Sequence, residues 1–337
     1  MKKIFLMLGL LGVANGFAQN GATSPAGPDT HGVDMRTQQG EPPAPAGAPG
    51  SGKYFPPAPA DPKLPTLWLI GDSTVRNGSL GNGTNMGQWG WGAPLTFYFD
   101  PKKINVVNFA YGGTSSRSYY EGFWWPRVKS EIKKGDFVIL QFGANDNSGA
   151  SLSGVGNETG PGRNGATIHS FGWYLQQYVR EGRDLGATVI IASLTPHKSW
   201  SADGHLKRDT THAAWSEQVA KETGAPFIAL NELIARRYDA MGAAKVTPLY
   251  VPTPKENLHT GWDGAVVNAE CVVAGLKAMK DDPLAGYFSA RGNAVAAVDV
   301  SQPEAPVKAA DGGSTGSAGA AAMTGTDVGA GNATAGK

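Results

Sequence analysis

Five short apolar runs alternating with stretches of helical spacing predict an α/β protein. The expected architecture is a three-layer α/β/α sandwich around a central, mostly parallel five-stranded sheet. The runs are 66–70 (TLWLI), 105–109 (NVVNF), 137–142 (FVILQF), 188–193 (TVIIAS) and 226–230 (PFIAL). They are β-branched and aromatic without polar alternation, as strands covered on both faces should be. Between them Ile168, Phe171, Leu175 and Tyr178 fall on one helical face, as do Ala214, Val219 and their neighbours before Gly224. A further helix spans 265–279, with Val266, Ala269, Val273 and Leu276 in register. Length alone, 337 residues, suggests about two domains. The 47 Gly and 23 Pro crowd towards the two ends, however, and leave one sizeable core between.

The ends are read first. Residues 1–18 form a secretory signal: Lys2 and Lys3 start it, 4–13 is an apolar run too short for a stable bilayer span, and Gly16 and Ala18 are small residues before a cut at Gln19. A secreted or periplasmic protein is expected, with no membrane attachment after cleavage. Residues 19–62 are rich in Pro, Gly and Ala and poor in large apolar side chains, which predicts a disordered linker. Residues 63–292 form the folded domain, and 293–337 an Ala/Gly-rich disordered tail. Within that tail Gly312-Gly313-Ser314-Thr315-Gly316 matches G-x-S-x-G formally. The composition around it supplies neither the strand nor the helix that such an elbow requires.

Composition excludes several functions. Lys plus Arg number 29 against 28 Asp plus Glu, a net charge of +1, so no basic field draws in nucleic acid. Cys271 is the single cysteine, which rules out an internal disulfide and a Cys-based zinc site. His205 and His212 lie seven apart with no third ligand at a sensible spacing, so no metal is expected. No phosphate-binding glycine motif or nicotinamide fingerprint occurs, and no cofactor is expected.

In a parallel sheet the site lies at the carboxyl ends of the strands, and four segments there carry polar groups. Gly71-Asp72-Ser73-Thr74 follows the first strand and sets a hydroxyl at the sheet edge. The second strand runs into Tyr111-Gly112-Gly113-Thr114-Ser115, where paired glycines allow a backbone N–H to approach a ligand. The third ends in Gly143-Ala144-Asn145-Asp146-Asn147, which offers a side-chain amide. Before the last helix stands Glu256-Asn257-Leu258-His259. A carboxylate three residues before a histidine can hold Nδ1–H and leave Nε2 to take a proton from a hydroxyl. Each segment alone is an ordinary turn; order and spacing make them a set.

That set resembles the four blocks of the SGNH (GDSL-type) hydrolases. Within that superfamily it resembles the rhamnogalacturonan acetylesterase family of carbohydrate esterases. GDSTV at 71–75, GGTSSRS at 112–118, FGANDN at 142–147, Thr195-Pro196 and HTGWDGA at 259–265 carry the likeness, which covers about 67–279. The resemblance implies the flavodoxin-like fold of those hydrolases, Ser73 as nucleophile and His259 as general base. It also implies an oxyanion hole from the backbone N–H of Ser73, that of Gly113, and the Asn145 amide. The family's Asp is Glu256 here, so the loop must absorb one methylene. Asp263, four residues past His259, is expected to cap the last helix instead.

An acetyl ester on a polysaccharide calls for an open cleft, and the segment 77–91 reads as a lip with aromatic faces. Trp89, Trp91, Trp124, Trp125 and Trp200 are candidates for a wall on which sugar rings stack. Arg117 could meet a uronate carboxylate or serve a structural ion pair. His197 and Lys198 follow the fourth strand and can reach the same edge. The expected partner is therefore an acetylated polysaccharide or oligosaccharide, pectin or rhamnogalacturonan first. The alternatives are a GDSL-type lipase or thioesterase, an acetylxylan esterase, or a glycan-binding protein with a decayed triad.

Overall fold

A computed structural model describes residues 58–78, 87–147, 149–253 and 255–302. The expected signal (1–18), most of the expected linker (19–57) and residues 303–337, with the G-x-S-x-G match, lie outside the described residues.

All five expected strands form, as β1 (Thr66–Gly71), β2 (Asn105–Asn108), β3 (Phe137–Gln141), β6 (Thr188–Ala192) and β7 (Phe227–Ile228). They make one wholly parallel sheet in the order β2-β1-β3-β6-β7. The last strand is shorter than expected because Leu230 already begins a helix. A separate antiparallel hairpin, β4 (Thr159–Pro161) with β5 (Thr167–His169), takes up Ile168, which the helical spacing had placed on a helix face.

The helices are α1 (Gly92–Leu95), α2 (Ser116–Glu121), α3 (Trp124–Glu131), α4 (Phe171–Asp184), α5 (His212–Thr223), α6 (Leu230–Met241) and α7 (Trp262–Ala278), with short turns between and after them. Local chemistry sets their ends. Ser115 and Ser118 form a capping box at α2, and Ser170 Oγ accepts from the Trp173 N–H at α4. Gly224 closes α5 with φ +63°, a left-handed position that suits glycine. Asp263 does not cap α7. Gly261 holds that position, and Asp263 sits in the first turn, where a carboxylate favours the positive end of the helix. Ala214 lies on the exposed side of α5, while Ser216, Val219 and Ala220 are buried.

Successive residues of each strand point to opposite faces, so the sheet makes two cores. Leu67, Leu69, Ile139, Ile190 and Ile228 face α1, α6 and α7. Trp68, Ile70, Val138, Leu140, Val189 and Ile191 face α2 to α5. Burial on both faces is why these runs lack polar alternation. The chain crosses to one side of β1 for β2 and to the other for β3, so the order reverses beside β1. That reversal opens a crevice at the carboxyl ends of β1 and β3.

The boundary expected at 292 falls short. Ser289 caps a helical turn over Ala290–Ala294, the Val298 N–H donates to Ala274 O, and Arg236 donates to the carbonyls of Val300 and Gln302. Residues 293–302 therefore pack on the domain, held by valines that composition alone hid among Ala and Gly. No helix among the described residues is long and apolar enough to cross a membrane.

Candidate active site

Ser73 follows β1 in a turn fixed from below. The Thr74 N–H and hydroxyl both donate to Asp72 Oδ1, at 2.8 and 2.7 Å. Gln141, the last residue of β3, donates from Nε2 to Thr74 Oγ1 at 2.6 Å, and Trp91 Nε1 donates to Gln141 Oε1 at 2.7 Å. Every member of this chain is buried. Gly71 leaves room for it: a Cβ there would lie 2.6 Å from the Gln141 carbonyl oxygen. Asp72 is fully enclosed, and its Oδ2 has no hydrogen-bond partner. Burial therefore pushes its carboxyl up to about 6, against the two bonds from Thr74.

Above this turn Ser73 Oγ lies 2.8 Å from His259 Nε2. His259 Nδ1 lies 3.0 Å from Glu256 Oε2. The remaining Glu256 oxygen, Oε1, accepts the backbone N–H groups of Leu258 and His259, each at 2.8 Å. Those bonds show how the extra methylene is absorbed: the carboxylate curls back over its own loop. Burial works to raise the Glu256 pKa, but the His259 and Leu258 N–H bonds and the imidazole outweigh it and hold the carboxyl below its usual range. The His259 loop is clamped by Trp89, whose N–H donates to Thr260 O while its carbonyl accepts from the Thr260 hydroxyl.

Gly113 has φ +78°, and no atom lies within 4 Å of where its Cβ would stand, so the loop is open on that side. Asn145 Nδ2 donates one hydrogen to Thr114 O at 3.0 Å, which ties the β3 turn to the glycine loop and leaves a second amide hydrogen. Among the described residues neither the Ser73 nor the Gly113 backbone N–H has a protein acceptor. The Asp146 carboxylate lies beneath, accepting from Ser116 N and Oγ, Gly143 N and Ser151 Oγ. Burial raises its pKa against the Ser116 bonds.

The expected aromatic wall does not form as read. Trp91 is fully buried and Trp89 nearly so, edge-on to Trp262 at 4.9 Å; both serve the core and the site's supports. Trp124 and Trp125 are buried too, the first 4.7 Å from the Tyr111 ring, the second donating to Glu181. Trp200 is half-buried, bridged to Leu206 and packed on the core. Arg117 is committed to the Ala150 carbonyl and to Glu121, so it is not presented to a uronate. His197 is exposed with Nδ1 3.4 Å from Asn257 Oδ1, beside the Glu256–His259 loop, and the Lys198 ammonium lies over Tyr250. Residues 79–86 of the expected lip lie outside the described residues. His205 and His212 have separate partners, Asp239 and the Asp146 carbonyl. No cluster of three or more possible metal ligands occurs among the described residues.

Sequence reading missed the supports: Thr74, Gln141, Trp91, Asp146 and Thr260. Asp72 and Asp146 were visible inside the quoted motifs, but only burial reveals what they hold.

A hydroxyl, an imidazole and a carboxylate in hydrogen-bonded series at the carboxyl edge of a parallel sheet, near backbone N–H groups with no protein acceptor among the described residues, define an acyl hydrolase by geometry. The chain belongs to the GDSL-like lipase/acylhydrolase family, whose profile matches residues 69–264. It is accordingly a carboxylic ester hydrolase on the SGNH fold. Among similar proteins, a rhamnogalacturonan acetylesterase of Emericella nidulans is 28% identical over 215 residues, 61% of this chain and 82% of that one. A probable rhamnogalacturonan acetylesterase of Bacillus subtilis, YesY, is 27% identical over 213 residues, 63% and 92% of the two chains. The crystal structure of Bacillus subtilis YxiM matches with a TM-score of 0.53 at 25% identity, over 64% of this chain and 56% of that one.

Proposed function

We propose that this protein is an exported carbohydrate esterase that removes O-acetyl groups from a plant cell-wall polysaccharide, rhamnogalacturonan first, through an acyl-enzyme on Ser73. The observation that carries the chemistry is the series Ser73 Oγ–His259 Nε2–Glu256 at 2.8 and 3.0 Å. The two relatives named as rhamnogalacturonan acetylesterases support the substrate class, and the leader-like residues 1–18 support export.

Ser73 Oγ attacks the acetyl carbonyl as its proton passes to His259 Nε2. The carbonyl oxygen becomes an oxyanion, met by the N–H groups of Ser73 and Gly113 and the second amide hydrogen of Asn145. Collapse breaks the ester C–O bond, and the sugar oxygen takes the proton from His259. Water then attacks the acetyl-Ser73 carbonyl, giving its proton to His259, and acetate leaves as Ser73 regains it. Ionised Glu256 stabilises the imidazolium formed in each half-reaction.

Acetate release from acetylated rhamnogalacturonan, acetylated xylan and a small acetyl ester, parent beside Ser73→Ala, tests the reading. Release by the parent alone, fastest per acetyl group on rhamnogalacturonan, is expected. Turnover of long-chain model esters but not of either polymer would overturn the carbohydrate assignment.

A further inference from the structure

The turn that carries Ser73 also carries Arg76, which the hydrolytic steps leave unused. The Arg76 N–H donates to Asp72 O at 3.1 Å, so residues 72–76 close one helical turn. Side chains three apart in such a turn lie on one side of it, which puts Arg76 on the same side as Ser73. The backbone at Arg76 is fixed from both flanks. Asn108, the last residue of β2, donates from Nδ2 to Val75 O at 2.8 Å and to Asn77 Oδ1 at 2.9 Å. The Gly90 N–H donates to Arg76 O at 2.9 Å. A side chain rooted this firmly loses little freedom when it meets a ligand.

The half-buried guanidinium lies against the glycine loop. Its Nε and Cζ stand 3.4 and 3.5 Å from where a Cβ on Gly112 would be. Gly112 precedes Gly113, one of the oxyanion donors proposed above, so the Arg76 charge is within about 8 Å of the Gly113 nitrogen. The loop is open there: Gly113 is exposed, and no atom lies within 4 Å of its Cβ position. Nη2 lies 3.5 Å from Gln88 Oε1, at the outer limit of a hydrogen bond. Burial lowers the Arg76 pKa, with Tyr111 acting the other way, yet a guanidinium keeps its charge. In such part-desolvated surroundings it attracts a carboxylate more strongly than in open water.

The site's own carboxylates are turned onto other partners. Glu256 bonds its own loop, Asp146 bonds Ser116, Gly143 and Ser151, and Asp72 bonds Thr74. Lys198 stands on the other flank, its N–H donating to Asn257 O beside the His259 loop and its ammonium over Tyr250.

We propose that Arg76 is a specificity-determining residue that receives the carboxylate of an acidic sugar at the cleft, an inference that rests on the carbohydrate esterase reading above. The planar fork meets both carboxylate oxygens, so the enzyme takes the free acid ahead of the same sugar with its carboxyl neutralised.

The test compares acetate release from acetylated rhamnogalacturonan oligosaccharides whose galacturonate carboxyls are free or methyl-esterified. The parent should show a kcat/KM at least about tenfold higher on the free acid. Arg76→Gln should bring that ratio close to one, and Arg76→Lys, a point charge without the fork, should leave it in between. The ratio is read within each variant, so a general loss of rate cancels. Equal rates on the two substrates in the parent overturn the inference. So does a ratio that Arg76→Gln leaves unchanged while both rates fall, the mark of a structural part or of a field acting on the oxyanion. If Arg76→Gln does not fold, Arg76→Lys decides by the same ratio. Failure of the carbohydrate esterase reading looks different: neither oligosaccharide releases acetate, while long-chain model esters are turned over.

Discussion

The two halves of the site are held in opposite ways. The Ser73 turn rests on the interior: Asp72, Thr74, Gln141 and Trp91 form a buried chain of hydrogen bonds spanning β1, β3 and the start of α1. His259 is oriented chiefly within its own loop, Glu256 bonding its backbone and ring from three positions away, with Trp89 clamping the next residue, Thr260. Damage to the first half should therefore spread into stability, and damage to the second should stay in the chemistry.

The largest effects test the Ser73–His259 contact between the halves. Ser73→Ala and His259→Ala should each lower kcat by about 10⁴–10⁶, and the double variant should lose scarcely more, since the pair acts as a unit. Additive losses would mean that the two residues work independently. Glu256→Gln comes next, with kcat down about 10³–10⁴ and KM little changed, because the shape survives while the imidazole loses its anionic partner. Its unfolding midpoint in urea at pH 7 should fall modestly, since the amide oxygen still accepts from the loop while the charge that favours folding is lost; a large fall would show that the loop carries more of the stability than the buried half. Asn145→Ala should cost about 10²–10³ in kcat by removing one oxyanion donor. A variant as fast as the parent would take Asn145 out of that role.

Smaller effects probe the buried half. The Asp72 carboxyl, raised to about 6, binds its proton more tightly folded than unfolded. Its contribution is thus fully favourable below the unfolded value near 4 and is lost as pH rises through 6. Urea unfolding should show parent stability falling relative to Asp72→Asn by on the order of 2 kcal/mol between pH 4 and pH 7. Parallel pH curves would remove the shift. Glu256 has the opposite sign: held low, it favours folding above the ordinary glutamate range, and that contribution fades only as acid reaches its depressed value. Gln141→Leu should destabilise by about 1–3 kcal/mol, since it strands the Trp91 N–H and removes a donor from Thr74.

What the sequence disclosed follows the same division. The strands were legible because burial on both faces writes unbroken apolar runs, and the three residues of the hydrogen-bonded series were legible because the segments that carry them resemble, in order and wording, the blocks of a known hydrolase family. The tryptophans were not. Trp89 and Trp91 sit in a Gly-rich stretch that reads as a surface lip, but the chain folds back against Thr74, Thr260 and α7, which buries both. Nothing in local sequence says which way such a segment turns, because its apolar partners lie about 170 positions away. Arg117 was similarly ambiguous until Ala150 and Glu121 appeared beside it.

The Glu256–His259 pair spans three residues, whereas Ser73 and His259 are 186 apart in the chain. Closing the short ring costs little chain entropy, so the His259 ring can be oriented while most of the molecule is still unstructured. Bringing it to Ser73 requires the strands between them to be in place. Regain of hydrolysis after dilution from denaturant therefore reports the last long-range closure of the fold, and it should lag behind the return of helical signal.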